Sequence, residues 1–178
     1  MTQLDAWLAA FFAATTLDEA AIAFLKSTAV SEWVVTTPWV WPAAETLHFL
    51  GLALLIGIIA PLDVRLLGFM QSIPVSALRA LVPWAVVGFI VNLATGLLFF
   101  VAAPDQYMRN LSWWFKVLFL VVAGLNMLMF ETTHRSRLDA MGTGDTPSSF
   151  KIIGAVSLVS WLMVIYWGRM LPFLGNAF

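Results

Sequence analysis

Residues 80–103 read ALVPWAVVGFIVNLATGLLFFVAA, a run of 24 residues without a charged side chain. An α-helix rises about 1.5 Å per residue, so about 20 apolar residues cross the hydrocarbon core of a bilayer, which is roughly 30 Å thick. Inside that core the backbone has no water to bind, and a helix satisfies its backbone groups internally. The run therefore predicts a membrane-spanning helix.

Three further stretches have the same length and character. They are joined by a segment that contains Pro74, by a short turn at 104–110 and by the polar loop SRLDAMGTGDTPSS. A turn as short as 104–110 holds its two helices antiparallel. The fold class that follows is an all-α membrane protein: a four transmembrane helix bundle in residues 39–178, with spans near 39–62, 80–103, 111–130 and 150–171.

The composition agrees with a membrane protein. Hydrophobic residues make up 61% of the chain and charged residues 11%, and the mean hydropathy is +0.91. A soluble domain has about 25% charged residues. The net charge is −1 and Lys and Arg form no cluster, which excludes a basic protein with nucleic acid as its partner. Cysteine is absent from the sequence, which excludes thiolate metal sites, iron–sulfur clusters and disulfides.

Residues 1–38 differ from the rest because they lack an apolar run long enough to cross a bilayer. Thr16 and Glu19 have the spacing of a capping box at the start of a helix. The segment that follows predicts an amphipathic helix with one apolar face, formed by Leu17, Ala21, Ile22 and Leu25. We expect this N-terminal segment to lie in the membrane interface, with its apolar face against lipid or another subunit.

Positive charges are distributed unequally between the connections. Five lie in the first and third connections, namely Arg65, Arg79, Arg135, Arg137 and Lys151. Two, Lys26 and Arg109, lie clear of the spans on the opposite side. Cytoplasmic connections carry the excess of Lys and Arg. We therefore expect a multi-pass protein of the bacterial inner (cytoplasmic) membrane with both termini in the periplasm.

Ionisable side chains inside membrane helices are costly and commonly functional. Helix rise places four of them at one depth near the outer end, with an amide slightly deeper: Glu45, His48, Lys116, Arg169 and Asn92. Because an unpaired charge costs several kcal/mol in hydrocarbon, we expect Glu45 to pair with Lys116 or Arg169. Two interpretations stay open, a pocket for an anionic or quinone-like headgroup and an ion-paired structural knot.

A second polar group is expected at the cytoplasmic end of the spans, formed by Asp63, Arg65, Glu131 and His134. Glu45/His48 and Glu131/His134 both have the Glu-x-x-His spacing used by di-iron bundles. The two pairs lie about 20 Å apart in depth, so no metal site within one chain is expected. The same distance argues against a bis-histidine haem. The cofactor stays unknown, with haem or quinone as the alternatives.

Several motifs resemble those of an uncharacterised bacterial four-helix integral membrane family, a domain of unknown function. The resemblance covers residues 38–172 and includes PAAETLHFLGLALLIG and FKVLFLVVAGLNMLMFE. Its most specific parts are His48 with Gly51, the Leu-Asp-x-Arg of residues 62–65, and Thr95 with Gly96. It implies a four-helix fold and no activity. The family pattern has His at the end of the third helix, where this chain has Glu131.

These observations favour a non-catalytic membrane subunit or accessory protein of a larger assembly, such as a respiratory or photosynthetic one. No nucleophile–base pair suggests an enzyme. The first alternative is a small redox protein of electron transport that binds haem b or quinone near His48. The second is a carrier or channel that uses the outer polar layer. The expected partners are the lipid bilayer and other membrane subunits.

Overall fold

The computed structural model describes residues 16–139 and 142–174, with side chains for residues 19–133 and 142–174. In this part of the chain all regular structure is helical. The helices are α1 (Thr16–Lys26), α2 (Ala29–Thr36), α3 (Val40–Leu66), α4 (Val75–Arg79), α5 (Val82–Ala102), α6 (Pro104–Met108), α7 (Leu111–Asp139) and α8 (Ser148–Met170). Residues 1–15 of the predicted interfacial segment lie outside the described residues.

Four helices, α3, α5, α7 and α8, are long and apolar enough to cross a membrane. This confirms the prediction of an all-helical protein with four such helices. Between 17% and 33% of the residues in each apolar span are buried inside the chain. Most of the apolar surface therefore faces outward, as expected where lipid replaces the rest of a protein core.

Two of the long helices continue past the predicted ends of their apolar runs. Helix α3 passes through Pro61 and reaches Leu66, and α7 reaches Asp139. The end of an apolar run marks where hydrocarbon gives way to polar surroundings, whereas backbone hydrogen bonding can continue beyond it. The extension of α3 matters because it places Asp63 and Arg65 on a helix rather than in a loop.

The long helices pack in the order α5–α3–α8–α7, and each packs antiparallel to its neighbour. Helices α5 and α7 barely contact each other, and we call the space between them the α5–α7 gap. The end of the bundle where α3 begins and α8 ends is called the termini end. The opposite end, where α3 finishes, is called the Arg65 end.

Glycines allow the closest helix approach. A Cβ atom on Gly88 of α5 would lie 2.7 Å from the carbonyl oxygen of Gly51 on α3. On α8, a Cβ on Gly154 would lie 2.9 Å from the carbonyl oxygen of Asp63. Gly57 of α3 makes no such approach within the described residues, since a Cβ there would meet nothing within 4 Å. The sequence spacing identifies small residues without showing which way they face.

Helices α1 and α2 pack on the chain's own bundle. Thr28 caps α2 by accepting a hydrogen bond from the backbone N–H of Ser31. Ile22 and Val34 are buried, and Val34 packs with Val40 and Ala102. The apolar face of this segment was expected to be covered by lipid or another subunit, and for Ile22 this is wrong because the chain itself covers it. The side chain of Leu17 lies outside the described side chains.

Candidate functional site

At the termini end, His48 links α3 to α5 by hydrogen bonds. Its Nδ1 lies 2.8 Å from the Thr95 hydroxyl oxygen, and Asn92 Nδ2 donates to the His48 carbonyl oxygen at 2.9 Å. The Thr95 hydroxyl donates its single hydrogen to the Val91 carbonyl oxygen at 2.7 Å, so His48 Nδ1 is the donor in their contact. This network has the geometry of an interhelical structural contact.

The charged side chains expected beside His48 separate. Lys116 lies near enough to His48 for its charge to act on the imidazole, and a Cβ atom on Gly168 of α8 would lie 3.6 Å from its Nζ. Arg169 is exposed and lies over the Phe173 ring at 5.0 Å from its centroid. Glu45 is exposed on α3, and among the described side chains it forms no ion pair with either cation. The predicted ion pair of Glu45 with Lys116 or Arg169 is therefore wrong.

The charge of Glu45 instead affects the pKa of Tyr107, which lies on α6. Burial raises the pKa of Tyr107 to about 12, and the negative charge of Glu45 adds to the rise. Helix rise places Glu45 near the termini end but carries no information on the direction in which an exposed side chain turns. Of the five residues predicted to meet at the termini end, the structure brings together His48, Asn92 and Lys116.

At the Arg65 end, a buried guanidinium joins two loops. Arg65 is 0% exposed. Its nitrogens donate to the carbonyl oxygen of Ile73 at 2.7 Å, to the carbonyl oxygen of Gly144 at 2.9 Å and to the Thr146 hydroxyl at 3.0 Å. Gly144 has φ of 111°, a conformation that glycine adopts without strain. We call this arrangement the Arg65 loop junction.

The other predicted members of this end are not joined to Arg65. Glu131 on α7 accepts hydrogen bonds from Arg79 of α4 at 3.1 and 3.2 Å, an ion pair with half-buried side chains. The His134 side chain lies outside the described side chains. Asp63 turns away from the Arg65 loop junction and lines a cavity between the long helices. The sequence therefore places these residues at one end of the bundle, but it does not show that Arg65, Glu131 and Asp63 lie in three different environments.

The cavity has a volume of about 170 Å³ and is lined by all four long helices. We call it the Asp63 cavity, and its wall includes Leu62, Asp63, Ala85, Phe89, Ala123, Gly124, Asn126, Ser157 and Trp161. Most of this wall is apolar. Residues of α5 and α7 face each other across it, so the cavity lies directly behind the α5–α7 gap.

Asp63 is the charged group of this wall and is 3% exposed. The Ser157 hydroxyl hydrogen-bonds to its carboxyl group. Its Oδ2 atom is buried with no hydrogen-bond partner among the described atoms. Asn126, another polar residue of this wall, donates one of its two side-chain hydrogens to the Ile153 carbonyl oxygen at 3.2 Å. A buried carboxyl oxygen without a donor costs free energy, which makes it a binding group for a molecule that supplies one.

Sequence reasoning missed this cavity although it named Asp63. Asn126 and Ser157 are single polar residues in apolar runs, and from the predicted spans helix rise places them roughly 8 and 12 Å deeper in the bilayer than Asp63. Depth therefore gave no signal that joins the three residues, and it could not show that their side chains line one cavity.

Among the described residues, no group of three or more His, Asp or Glu side chains is arranged to hold a metal ion. Comparisons of the chain with models of protein families, with curated proteins and with solved structures found no match.

Proposed function

We propose that this chain is an integral membrane protein that works by binding, and that it holds a small amphipathic molecule in the Asp63 cavity. The single observation that carries the proposal is the unpartnered Oδ2 of Asp63 in an apolar wall. Large apolar pockets with a few convergent polar groups are the typical sites of small-molecule binding. The proposal includes the bacterial inner membrane, both termini in the periplasm, and a non-catalytic accessory role.

The location of the cavity supports entry from the bilayer. An engineered cavity of about 150 Å³ holds one benzene molecule, so 170 Å³ accommodates one ring of that size. The α5–α7 gap lies beside the cavity. In a membrane that gap faces the acyl chains, from which an apolar molecule enters without crossing water.

Organic extraction of the purified protein tests the proposal. The protein is purified in mild detergent, and its extract is compared by mass spectrometry with extracts of two variants. Ala123→Phe fills the cavity from a buried position, whereas Leu125→Phe places the same aromatic side chain at an exposed position on the same helix. We expect a small molecule that is retained by the wild type and Leu125→Phe and lost from Ala123→Phe. Equal extracts from all three proteins would contradict the proposal.

A second role, within a larger assembly, is favoured by Glu45. This acidic side chain is exposed near the start of α3 and forms no ion pair among the described side chains. A basic side chain of a neighbouring subunit would stabilise it. Purification without crosslinker, followed by identification of co-purifying proteins, tests this role. We expect Glu45→Gln to weaken retention of a specific partner. Glu19→Gln, which changes an exposed acidic side chain on α1, should leave that retention unchanged. If no protein co-purifies with the wild type, the proposed role within an assembly is contradicted.

Orientation has its own test. A reporter that is active only in the cytoplasm should be silent after Phe178 and active when inserted near Gly142, because the connection at Gly142 belongs to the side with more Lys and Arg. The reverse pattern would place both termini in the cytoplasm.

A further inference from the structure

We infer that the molecule held in the Asp63 cavity is a neutral aromatic ring with a hydroxyl group, namely a phenol or quinol. Its hydroxyl group donates to Asp63 Oδ2, and a tail attached to the ring leaves through the α5–α7 gap. This inference rests on the proposed function and names the chemical class of its ligand.

The size of the cavity selects the headgroup. A volume of about 170 Å³ is close to the roughly 150 Å³ that takes up a single benzene ring. Phe89 and Trp161 are part of the wall and lie edge to face, with ring centroids 6.3 Å apart. Aromatic side chains in such an arrangement present edges and faces that suit a further ring. The cavity fits one ring better than a bulky polar headgroup.

The carboxyl group of Asp63 in the cavity wall favours a ligand that donates a hydrogen bond. Asp63 is an acceptor when ionised, its Oδ2 lacks a donor, and its other polar neighbour is the Ser157 hydroxyl. A purely apolar ligand would leave Oδ2 buried and unsatisfied, whereas a hydroxyl group would satisfy it. Sites built to bind a hydroxyl discriminate strongly against the analogue that lacks one.

The charges around the site favour a neutral ligand. Among the described side chains at the Arg65 end, three are basic (Arg65, Arg79 and Lys151) and three are acidic (Asp63, Glu131 and Asp145). Arg79 pairs with Glu131, and Lys151 pairs with Asp145 at 2.8 Å. Arg65 and Asp63 remain, one basic and one acidic side chain two residues apart. Among these described side chains a cationic ligand would therefore find no excess of acidic groups to pair with.

Gly124 gives the tail an exit. It lies on the cavity wall, its position on α7 is exposed, and a Cβ atom there would meet nothing within 4 Å. The helix surface is therefore open at the point where the cavity approaches the α5–α7 gap. A substituent on the ring can pass over Gly124 into the bilayer.

Two probes of the same shape test the inference: 4-propylphenol, which has the donor, and propylbenzene, which lacks it. Each is titrated into the detergent-solubilised protein by calorimetry, and partition into protein-free micelles is measured and subtracted. We expect the wild type to bind 4-propylphenol about tenfold or more tightly than propylbenzene, because a hydrogen bond to a buried carboxyl group is strong. Asp63→Leu should remove this preference while leaving the affinity for propylbenzene within about twofold.

Further variants separate the possible failures. Gly124→Leu should weaken binding of a phenol with a long alkyl tail more than binding of 4-propylphenol, and it favours the helix, so loss of folding is not expected. Equal affinity of the wild type for the two probes, or a preference that survives in Asp63→Leu, would overturn the inference. If both probes bind equally and Ala123→Phe abolishes both, the cavity still binds and the proposed function stands. If neither probe binds and the extracts of the variants are equal, both ideas fail.

Discussion

Arg65 and Asp63 lie two residues apart on α3 and are both buried, yet their surroundings are opposite. The Arg65 guanidinium reaches acceptors in two loops, and three of its contacts are between 2.7 and 3.0 Å. Asp63 has an oxygen with no donor and a cavity beside it. A buried polar group with all its partners holds a fold together, whereas one without them costs stability and calls for a functional reason.

Burial of a charged residue therefore does not by itself identify a functional site. Both residues are typical candidates by sequence, since each is a charge within or beside an apolar run. Their hydrogen-bond partners distinguish them. Arg65 bonds to residues up to 81 positions away and thereby fixes the ends of α3 and α8 relative to each other.

The largest expected effect is the loss of the Arg65 loop junction. Arg65→Met keeps much of the side-chain volume but leaves the partly buried carbonyl oxygens of Ile73 and Gly144 without their donor. We expect the free energy of unfolding to fall by about 3–5 kcal/mol, measured by denaturant titration in mixed micelles. Arg169→Met, at an exposed arginine, is the control and should cost less than about 1 kcal/mol. Equal effects would remove the distinction between the two arginines.

The next largest effect concerns the close contact between α5 and α3, the helix that carries both residues. Gly88→Ala places a methyl group 2.7 Å from the Gly51 carbonyl oxygen, so α3 and α5 must separate. We expect a loss of about 1–3 kcal/mol in the free energy of unfolding. Gly57→Ala is the matched control in open space, where the higher helix propensity of Ala should leave stability equal or slightly higher. If Gly88→Ala left the free energy of unfolding unchanged, α3 and α5 would be farther apart than described.

The Arg79–Glu131 ion pair should have a smaller effect. Its side chains are 12% and 30% exposed, so water screens part of the attraction. A double-mutant cycle with Arg79→Gln and Glu131→Gln should give a coupling energy of about 1 kcal/mol. A coupling energy near that of the Arg65→Met loss would mean that α4 contributes more to the Arg65 end than its exposure indicates.

The smallest effect concerns Asp145, in the loop that the Arg65 junction holds. Hydrogen bonds from Lys151 and from the Thr146 N–H lower the pKa of this exposed carboxyl below its ordinary value of 3.8. A lowered pKa in the folded state contributes stability above pH 3.8 that is lost as the pH falls through the folded pKa. Carboxyl NMR should give a midpoint below 3.8, and Lys151→Gln should raise it. A midpoint that does not respond would show that the pair does not form in solution.

The sequence predicted the helices well and the side-chain neighbours poorly, for one physical reason. Bilayer thickness fixes the length of an apolar run, so four helices could be located from composition. Depth along a helix also follows from residue number, and it placed Glu45, Lys116 and Arg169 near one end. Pairing depends on rotation about the helix axis and on side-chain direction, and Glu45 in fact faces outward.

The Asp63 cavity illustrates the same limit. Its polar wall comes from Asp63, Asn126 and Ser157, which lie on three helices far apart in sequence. Each is a common residue with an ordinary structural explanation. Only the packing order of the helices, which leaves α5 and α7 apart, brings them to one space. No periodicity or spacing within a single helix carries that information.

We claim that Asp63 serves ligand binding at a cost to the fold, and the stability of Asp63→Leu decides whether this is so. The protein is freed of bound small molecules by detergent exchange, and its free energy of unfolding is compared with that of the equally treated wild type. Replacement of a buried carboxyl group that has one oxygen without a donor by an apolar group beside a cavity should leave stability unchanged or raise it by about 1–3 kcal/mol. A loss of about 3 kcal/mol, similar to that expected for Arg65→Met, would contradict the claim and make Asp63 a structural residue.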